Sequence, residues 1–194
     1  MIDDVKKWMD KKGKRFLEGI GVAKGQTVLD FGSGEGHYTI PVSKVVGANA
    51  KVYALDKDRN ALDKLKKTTK KNNIKNIELI EKNAEVTLEN NSVDVVLCYD
   101  VIHYENKRQR EAIYHEIHRV LKEEGLFSLY PKHHKQDSPL DNLADMELKD
   151  IIEEVVKAGF VFKEKRLENL LHDDYFNQGY ILAFKKLTNL NNKK

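Results

Sequence analysis

The sequence carries chemistry at three kinds of position: acids at the ends of apolar runs, glycines directly after the first such run, and histidines scattered downstream. The apolar run Thr27–Phe31 contains Asp30 and leads into Asp30-x-Gly32-x-Gly34-x-Gly36. Glycines between a strand-like and a helix-like run let backbone approach a ligand at the edge of an open α/β sheet. Two familiar glycine loops fail here. In the dinucleotide pattern G-x-G-x-x-G the sixth position would be His37 counting from Gly32, or Thr39 counting from Gly34. No Gly-Lys-Ser/Thr follows the run either, so a phosphate-binding P-loop is absent. Asp30 would repel an anion, and the loop is expected to prefer a neutral or cationic ligand. Asp56 ends the next apolar run, KVYALD, 20 residues beyond Gly36. A carboxylate so placed receives the two hydroxyls of a ribose and rejects a 2′-phosphate.

A nucleoside with a cationic amino-acid tail satisfies both acids, and S-adenosylmethionine is such a molecule. With the segments LDFGSGEGHY, SVDVVLCYDVIHY and HRVLKEEGLFSL in that order, the chain resembles the class I S-adenosylmethionine-dependent methyltransferases over roughly Val22 to Lys186. The resemblance implies a doubly wound α/β fold. Its Rossmann-like sheet would have seven strands in the order 3-2-1-4-5-7-6, the last antiparallel, with helices on both faces. It also implies S-adenosylmethionine as cofactor and S-adenosylhomocysteine as product. Carried over residue by residue, Gly32, Ser33, Gly34 and Gly36 would bring backbone against the methionine and ribose, with Asp30 near the ammonium end. Asp56 would hold the ribose, with Lys57 beside the adenine. Asn83 and Ala84 stand where the family usually has an aspartate and a small residue that read the adenine; an asparagine oxygen can still accept from its amino group. Tyr99 and Asp100 fall where the family lines the methyl-donor pocket.

On that topology His37, His103, His133, His134 and His172 lie at the ligand edge, with Tyr104, Asp137, Asp173, Asp174 and Tyr175. His103 and His133 are the first candidates for an acceptor site or a base. Unconnected loop histidines remain an equal alternative, since loops are polar anyway. No metal site is expected: His133, His134 and Asp137 are near neighbours in sequence, which seldom converge on one ion. The fourth run ends Cys98-Tyr99-Asp100-Val101, without the Asn/Asp-Pro-Pro-Tyr/Phe stretch of base and amide N-methyltransferases. Cys98 lies inside a strand, where a buried thiol is expected rather than a cytosine-attacking nucleophile. A small-molecule acceptor is the leading expectation. RNA or protein methylation and a non-catalytic cofactor-binding module stay open.

The elements that must position these residues can be read from pattern. The 194 residues are 40% hydrophobic and 34% charged, one domain's worth of chain with a solvated surface. Residues 1–20 are expected to form a helix packed on the core, 21–187 the cofactor-binding domain and 188–194 a frayed tail. Strands are expected at Thr27–Phe31, Lys51–Leu55, Ile77–Glu81, Val93–Tyr99 and Leu126–Tyr130. Helices are expected at Tyr38–Val46, Arg59–Asn72 and Arg108–Leu121, with a doubtful one at Ala84–Asn91. Strict alternation with near-continuous apolar strands predicts a parallel sheet. A helix ending near Gly159 follows, with Asp145 as its expected N-cap. Val161–Glu168 and Gly179–Lys185 then form an antiparallel hairpin joined by NLLHDDYFN. The N-terminal helix and the Pro131–Asp145 insertion are expected to form any lid, and His115 and His118 to be surface residues. No apolar run reaches 18 residues and the N-terminus lacks a signal-like core, so a cytoplasmic protein without membrane contact is expected. The net charge of +3 and lysine clusters without interleaved aromatics favour solvated helix faces over nucleic acid. A monomer or homodimer is compatible with all of this.

Overall fold

The computed structural model describes residues 3–81 and 86–187. Seven strands form one sheet in the order β3-β2-β1-β4-β5-β7-β6. They are β1 (Val28–Phe31), β2 (Val52–Asp56), β3 (Ile77–Glu81), β4 (Val93–Tyr99), β5 (Leu121–Tyr130), β6 (Phe160–His172) and β7 (Tyr175–Lys186). Strands β1 to β5 pair in parallel, while β7 runs antiparallel to both β5 and β6. β1 is buried throughout, as a central strand covered on both faces must be.

Successive strand residues feed opposite layers. Leu29, Phe31, Val96 and Cys98 join one core with Ile113, Tyr114 and Ile117 of α5 (Lys107–Val120) and Ile151 and Val155 of α6 (Leu148–Lys157). Val28, Val95, Leu97 and Tyr99 join the other, with Val42 and Val45 of α3 (Thr39–Val46) and the N-terminal helix. Leu65 of α4 (Arg59–Lys71) packs on Ile40 and Ala54 on that second face, and the α4 lysines stay exposed.

The N-terminal helix runs as α1 (Asp3–Lys7), a π turn (Trp8–Lys12) and α2 (Gly13–Gly19). In a regular helix, nine residues at about 100° each would leave Leu17 half a turn from Trp8. The π turn takes up the extra residue, so both side chains reach the sheet fully buried. Gly13 is required there, because a Cβ would stand 2.9 Å from the Trp8 ring.

The remaining differences from expectation have local causes. β5 begins at Leu121, since Val93 pairs with Leu121 and Val95 with Leu126, and residues 122–125 bulge between them. Residues 86–91 form no helix. The N-cap of α6 is Glu147, in a reciprocal box with Asp150, rather than Asp145. His118 is half-buried rather than simply on the surface: its ring packs edge-on against Phe160 at 5.2 Å. The largest difference is the hairpin. β6 and β7 pair without a loop from Phe160↔Lys186 to His172↔Tyr175, leaving only Asp173 and Asp174 as the turn. His172 is therefore the last residue of a strand rather than part of a connection. No helix among the described residues is long and apolar enough to cross a membrane.

Candidate active site

At the C-terminal ends of β1, β2 and β4 lies a cleft of about 700 Å³, a size typical of small-molecule sites. Its floor is the glycine loop, where Gly32 and Ser33 N–H donate to the Leu55 carbonyl at 2.8 and 2.9 Å. The turn needs glycine: Gly36 has φ +92, and a Cβ there would stand 2.4 Å from Leu65 Cδ1. Above Gly34 nothing lies within 4 Å of an ideal Cβ, so the loop backbone is open to a ligand. The buried Ser33 Oγ has no partner in the structure and is available to one.

Asp56 closes β2 at the cleft wall. Its Oδ2 accepts from Gly34 N–H at 2.7 Å and its Oδ1 from Asp58 N–H at 2.8 Å. Each carboxylate oxygen keeps a second lone pair, so Asp56 fixes the loop and can still receive two ligand hydroxyls. Asp58, the cap of α4, accepts from Asn60 N–H at 2.8 Å. Lys57 lines the rim and pairs with Glu105 at 3.2 Å. Asn83 and Ala84 lie outside the described residues.

Asp30 stands differently from its expected place. Its carboxyl is 2% exposed and absent from the cleft wall, and its Oδ2 accepts from Thr39 Oγ1 at 2.5 Å. It acts on the loop from behind. Burial pushes its pKa from 3.8 up to about 7. The folded state therefore holds this proton over a range in which the unfolded chain has released it. Stability from this group falls as pH rises from about 4 to about 7, by at most ~1.4 kcal/mol per pH unit, and then levels off. Asp30→Asn keeps an acceptor for Thr39 and removes the ionisation. Urea unfolding at pH 5 and pH 8 should show the variant's advantage over wild type growing between the two and largest at pH 8; an equal difference at both would refute the assignment.

The far end of the cleft is aromatic and histidine-rich. Tyr38 and Tyr99 meet edge-to-face at 4.7 Å in its wall, and the Tyr99 hydroxyl turns back to Ser128 Oγ at 2.7 Å. Asp100, at φ +59, holds His172 Nε2 at 3.0 Å, which raises the pKa of that imidazole. His103 is buried beside Asp100, with Nδ1 3.4 Å from Oδ1, and burial lowers its pKa. His133 stacks edge-on to both His103 and His172, at 4.6 and 5.1 Å. Of the five edge histidines, His37 and His172 line the cleft, and His103 and His133 join His172 around Asp100. His134 instead turns to Gln136 at 3.2 Å. Cys98 is fully buried, and burial pushes its thiol far up, which removes it as a nucleophile.

Sequence reasoning placed His172, Asp173 and Asp174 at the ligand edge but gave the lid to the N-terminal helix and the Pro131–Asp145 insertion. Leu171, His172, Asp173 and Asp174 of the β6–β7 hairpin face the cleft, whereas the 131–145 insertion contributes no lining residue. The hairpin is tied down where Tyr38 Oη donates to the Leu171 carbonyl at 2.8 Å. The signal for it was Asp173-Asp174 between LLH and YF, a two-residue turn between apolar flanks. Six carboxylates (Glu35, Asp56, Asp100, Glu105, Asp173, Asp174) against Lys57 make the described cleft acidic, suited to a cationic ligand.

Comparison with known proteins bears on which ligand that is. Residues 23–183 match the methyltransferase domain family. A demethylmenaquinone methyltransferase of Staphylococcus aureus (strain MRSA252) is 37% identical over 84 residues, 43% of this chain and 34% of that protein. The chain thus spans about a third of the length of the curated relatives it matches. Among solved structures, a SAM-dependent methyltransferase from Aquifex aeolicus aligns with a TM-score of 0.73 at 20% identity, covering 94% of this chain and 97% of that one. The cyclase SpnF aligns with a TM-score of 0.73 at 14% identity, covering 89% of this chain and 80% of that one. Shape alone therefore fixes no chemistry. The family match runs through the glycine loop, Asp56 and the Tyr99-Asp100 strand end, and those residues fit the cofactor. The chain belongs to the class I S-adenosylmethionine-dependent methyltransferases, with S-adenosylmethionine as its cofactor.

Proposed function

We propose that the protein transfers a methyl group from S-adenosylmethionine to a neutral or cationic small molecule bound between the glycine loop and the Asp100 histidine cluster. The observation that carries this reading is the division of one cleft into two chemistries. One end holds open loop backbone and the Asp56 carboxylate; the other holds Tyr38, Tyr99, Asp100 and His172. S-adenosylmethionine, when bound, supplies a methyl group on an electrophilic sulfonium.

The chain's own part is to bind, orient and exclude water. Asp56 and the Gly32–Gly36 backbone hold the donor, while the Tyr38–Tyr99 wall shapes the space beyond it. Aligning a nucleophile with the methyl group can supply ~7–11 kcal/mol, so little further catalysis is needed. The hairpin tip at Asp173-Asp174 borders the cleft. An acidic cleft disfavours a nucleic-acid acceptor, whose phosphates it would repel. The partial likeness to an enzyme named for demethylmenaquinone supports a small molecule as the class, without carrying over the quinone itself.

Calorimetry with S-adenosylmethionine and S-adenosylhomocysteine should show saturable binding of both. A screen with methyl-labelled cofactor against small hydroxyl, amine and thiol compounds, RNA and peptides then assigns the acceptor. Label is expected in the small-molecule pool. Label only in RNA or peptide would overturn the acceptor class, and binding without transfer to any pool would favour a non-catalytic module.

A further inference from the structure

We propose that Asp100, His133 and His172 form a site for one divalent transition-metal ion, whose free coordination positions face the cleft and take an oxygen of the methyl acceptor. The site itself stands on geometry alone; its role toward the acceptor rests on the methyl-transfer reading above.

The three ligand atoms are held as an ion would hold them. His172 Nε2 lies 3.0 Å from Asp100 Oδ2 and 3.2 Å from His133 Nε2, and His133 Nε2 lies 3.8 Å from Asp100 Oδ1. Donors at about 2.0–2.2 Å from one metal stand roughly 3.0–3.4 Å apart, so both edges at His172 match. The 3.8 Å edge from His133 runs to the other carboxylate oxygen, and the carboxylate must rotate to bring one oxygen to both imidazoles, with the candidate ligand atoms within 4.8 Å of one another. Hydrogen bonding does not account for the convergence equally well. His133 Nδ1 lies 2.9 Å from the Ser138 carbonyl, which can only accept, so this nitrogen carries the proton. That leaves the His133 Nε2 lone pair facing His172 Nε2. A single N–H on His172 Nε2 can serve both that lone pair and the Asp100 carboxylate only as a shared, weaker bond.

The surroundings also have the form of a metal site. Metal-bound histidines usually donate their second N–H to a carbonyl or carboxylate. His133 does so to Ser138, and His172 Nδ1 lies 3.5 Å from Asp173 Oδ2. A separate observation points the same way. His103 is 1% exposed, neither ring nitrogen has a hydrogen-bond partner, and its Nδ1 is aimed at Asp100 Oδ1, itself without one. Asp100 and His133 both adopt positive φ, +59 and +69, to present these groups.

Two imidazoles and one carboxylate suit zinc or iron(II) better than magnesium or calcium, which take oxygen ligands. Three protein ligands leave coordination positions open, and Asp100 and His172 are cleft-lining residues. The sequence spacing gives no hint of this site, because its ligands come from the ends of β4 and β6 and from the segment after β5.

Equilibrium dialysis against Zn²⁺ and against Mg²⁺, with metal analysis of the protein, tests the proposal. Wild type should retain one Zn²⁺ per chain, well in preference to Mg²⁺. His133→Ala and His172→Asn should each weaken Zn²⁺ binding by about 100-fold or more, while His115→Ala on the exposed face of α5 should not. Thermal unfolding of each variant confirms that it folds. No Zn²⁺ retained by wild type, equal retention by both folded variants, or equal affinity for Mg²⁺ would overturn the site. S-adenosylmethionine calorimetry on metal-free protein reports separately on the donor reading, so failure of one is distinguishable from failure of the other.

Discussion

Replacing Asp56 by alanine is expected to weaken S-adenosylmethionine binding by about two orders of magnitude. Hydrogen bonds to a charged group contribute ~1.5–3 kcal/mol each, and a ribose offers this carboxylate two. The loss has a second source in the loop. Gly34 N–H gives up its 2.7 Å acceptor and Asp58 N–H its 2.8 Å acceptor, so the glycine turn no longer has a fixed shape before the cofactor arrives. Asp56→Asn retains one acceptor oxygen and should fall between the two. Because Asp56 is part-exposed, water replaces it as a partner for the freed N–H groups, and unfolding should shift only modestly. Calorimetry of the three proteins at one pH decides the matter. Affinities agreeing within about threefold would remove Asp56 from the cofactor site.

The second large effect is on stability, and it originates far from Asp56 in sequence. Trp8 is fully buried, donates Nε1–H to the His37 carbonyl at 2.9 Å and meets Tyr38 edge-to-face at 5.1 Å. Truncation to alanine leaves a cavity under the cleft wall and an unserved carbonyl, at a cost of about 3–5 kcal/mol. Trp8→Phe keeps most of the ring and loses the donor, so it should cost far less. Urea unfolding should be followed by circular dichroism, because Trp8 is the only tryptophan and its fluorescence disappears with it. The cofactor should also bind more weakly to Trp8→Ala, since His37 and Tyr38 follow directly on the glycine loop. A loss below about 1 kcal/mol would show that the N-terminal helix is not coupled to the core.

Both effects bear on what could be read in advance. β1, β2 and β4 announced themselves because central parallel strands are apolar on both faces, and their order with the intervening helices left few topologies open. The glycine loop was legible because its backbone needs conformations that only glycine takes without strain. Asp30 shows the limit of such reading. Its position at the head of the loop was plain, yet whether a carboxylate faces the ligand or the core depends on what packs over it, here Thr39. Residues 169–178 read as a connection because polar and apolar residues mix there. Up to the Asp173-Asp174 turn they continue the strands, paired from Asn169↔Gln178 to His172↔Tyr175, because Leu170 and Leu171 bury into the core and Tyr38, 133 residues before Leu171, ties the hairpin down.

The sequence by itself determined the alternation of buried strands and helices and the glycine turn, because local periodicity and turn chemistry suffice for those, and its resemblance to a known family supplied the strand order and the cofactor. Only the tertiary structure decided that Asp30 lies behind the loop, that the β6–β7 hairpin borders the cleft, and that Asp100, His133 and His172 meet at one point. Convergence of strand ends depends on register between strands distant in the chain, and register comes from packing that no local pattern encodes.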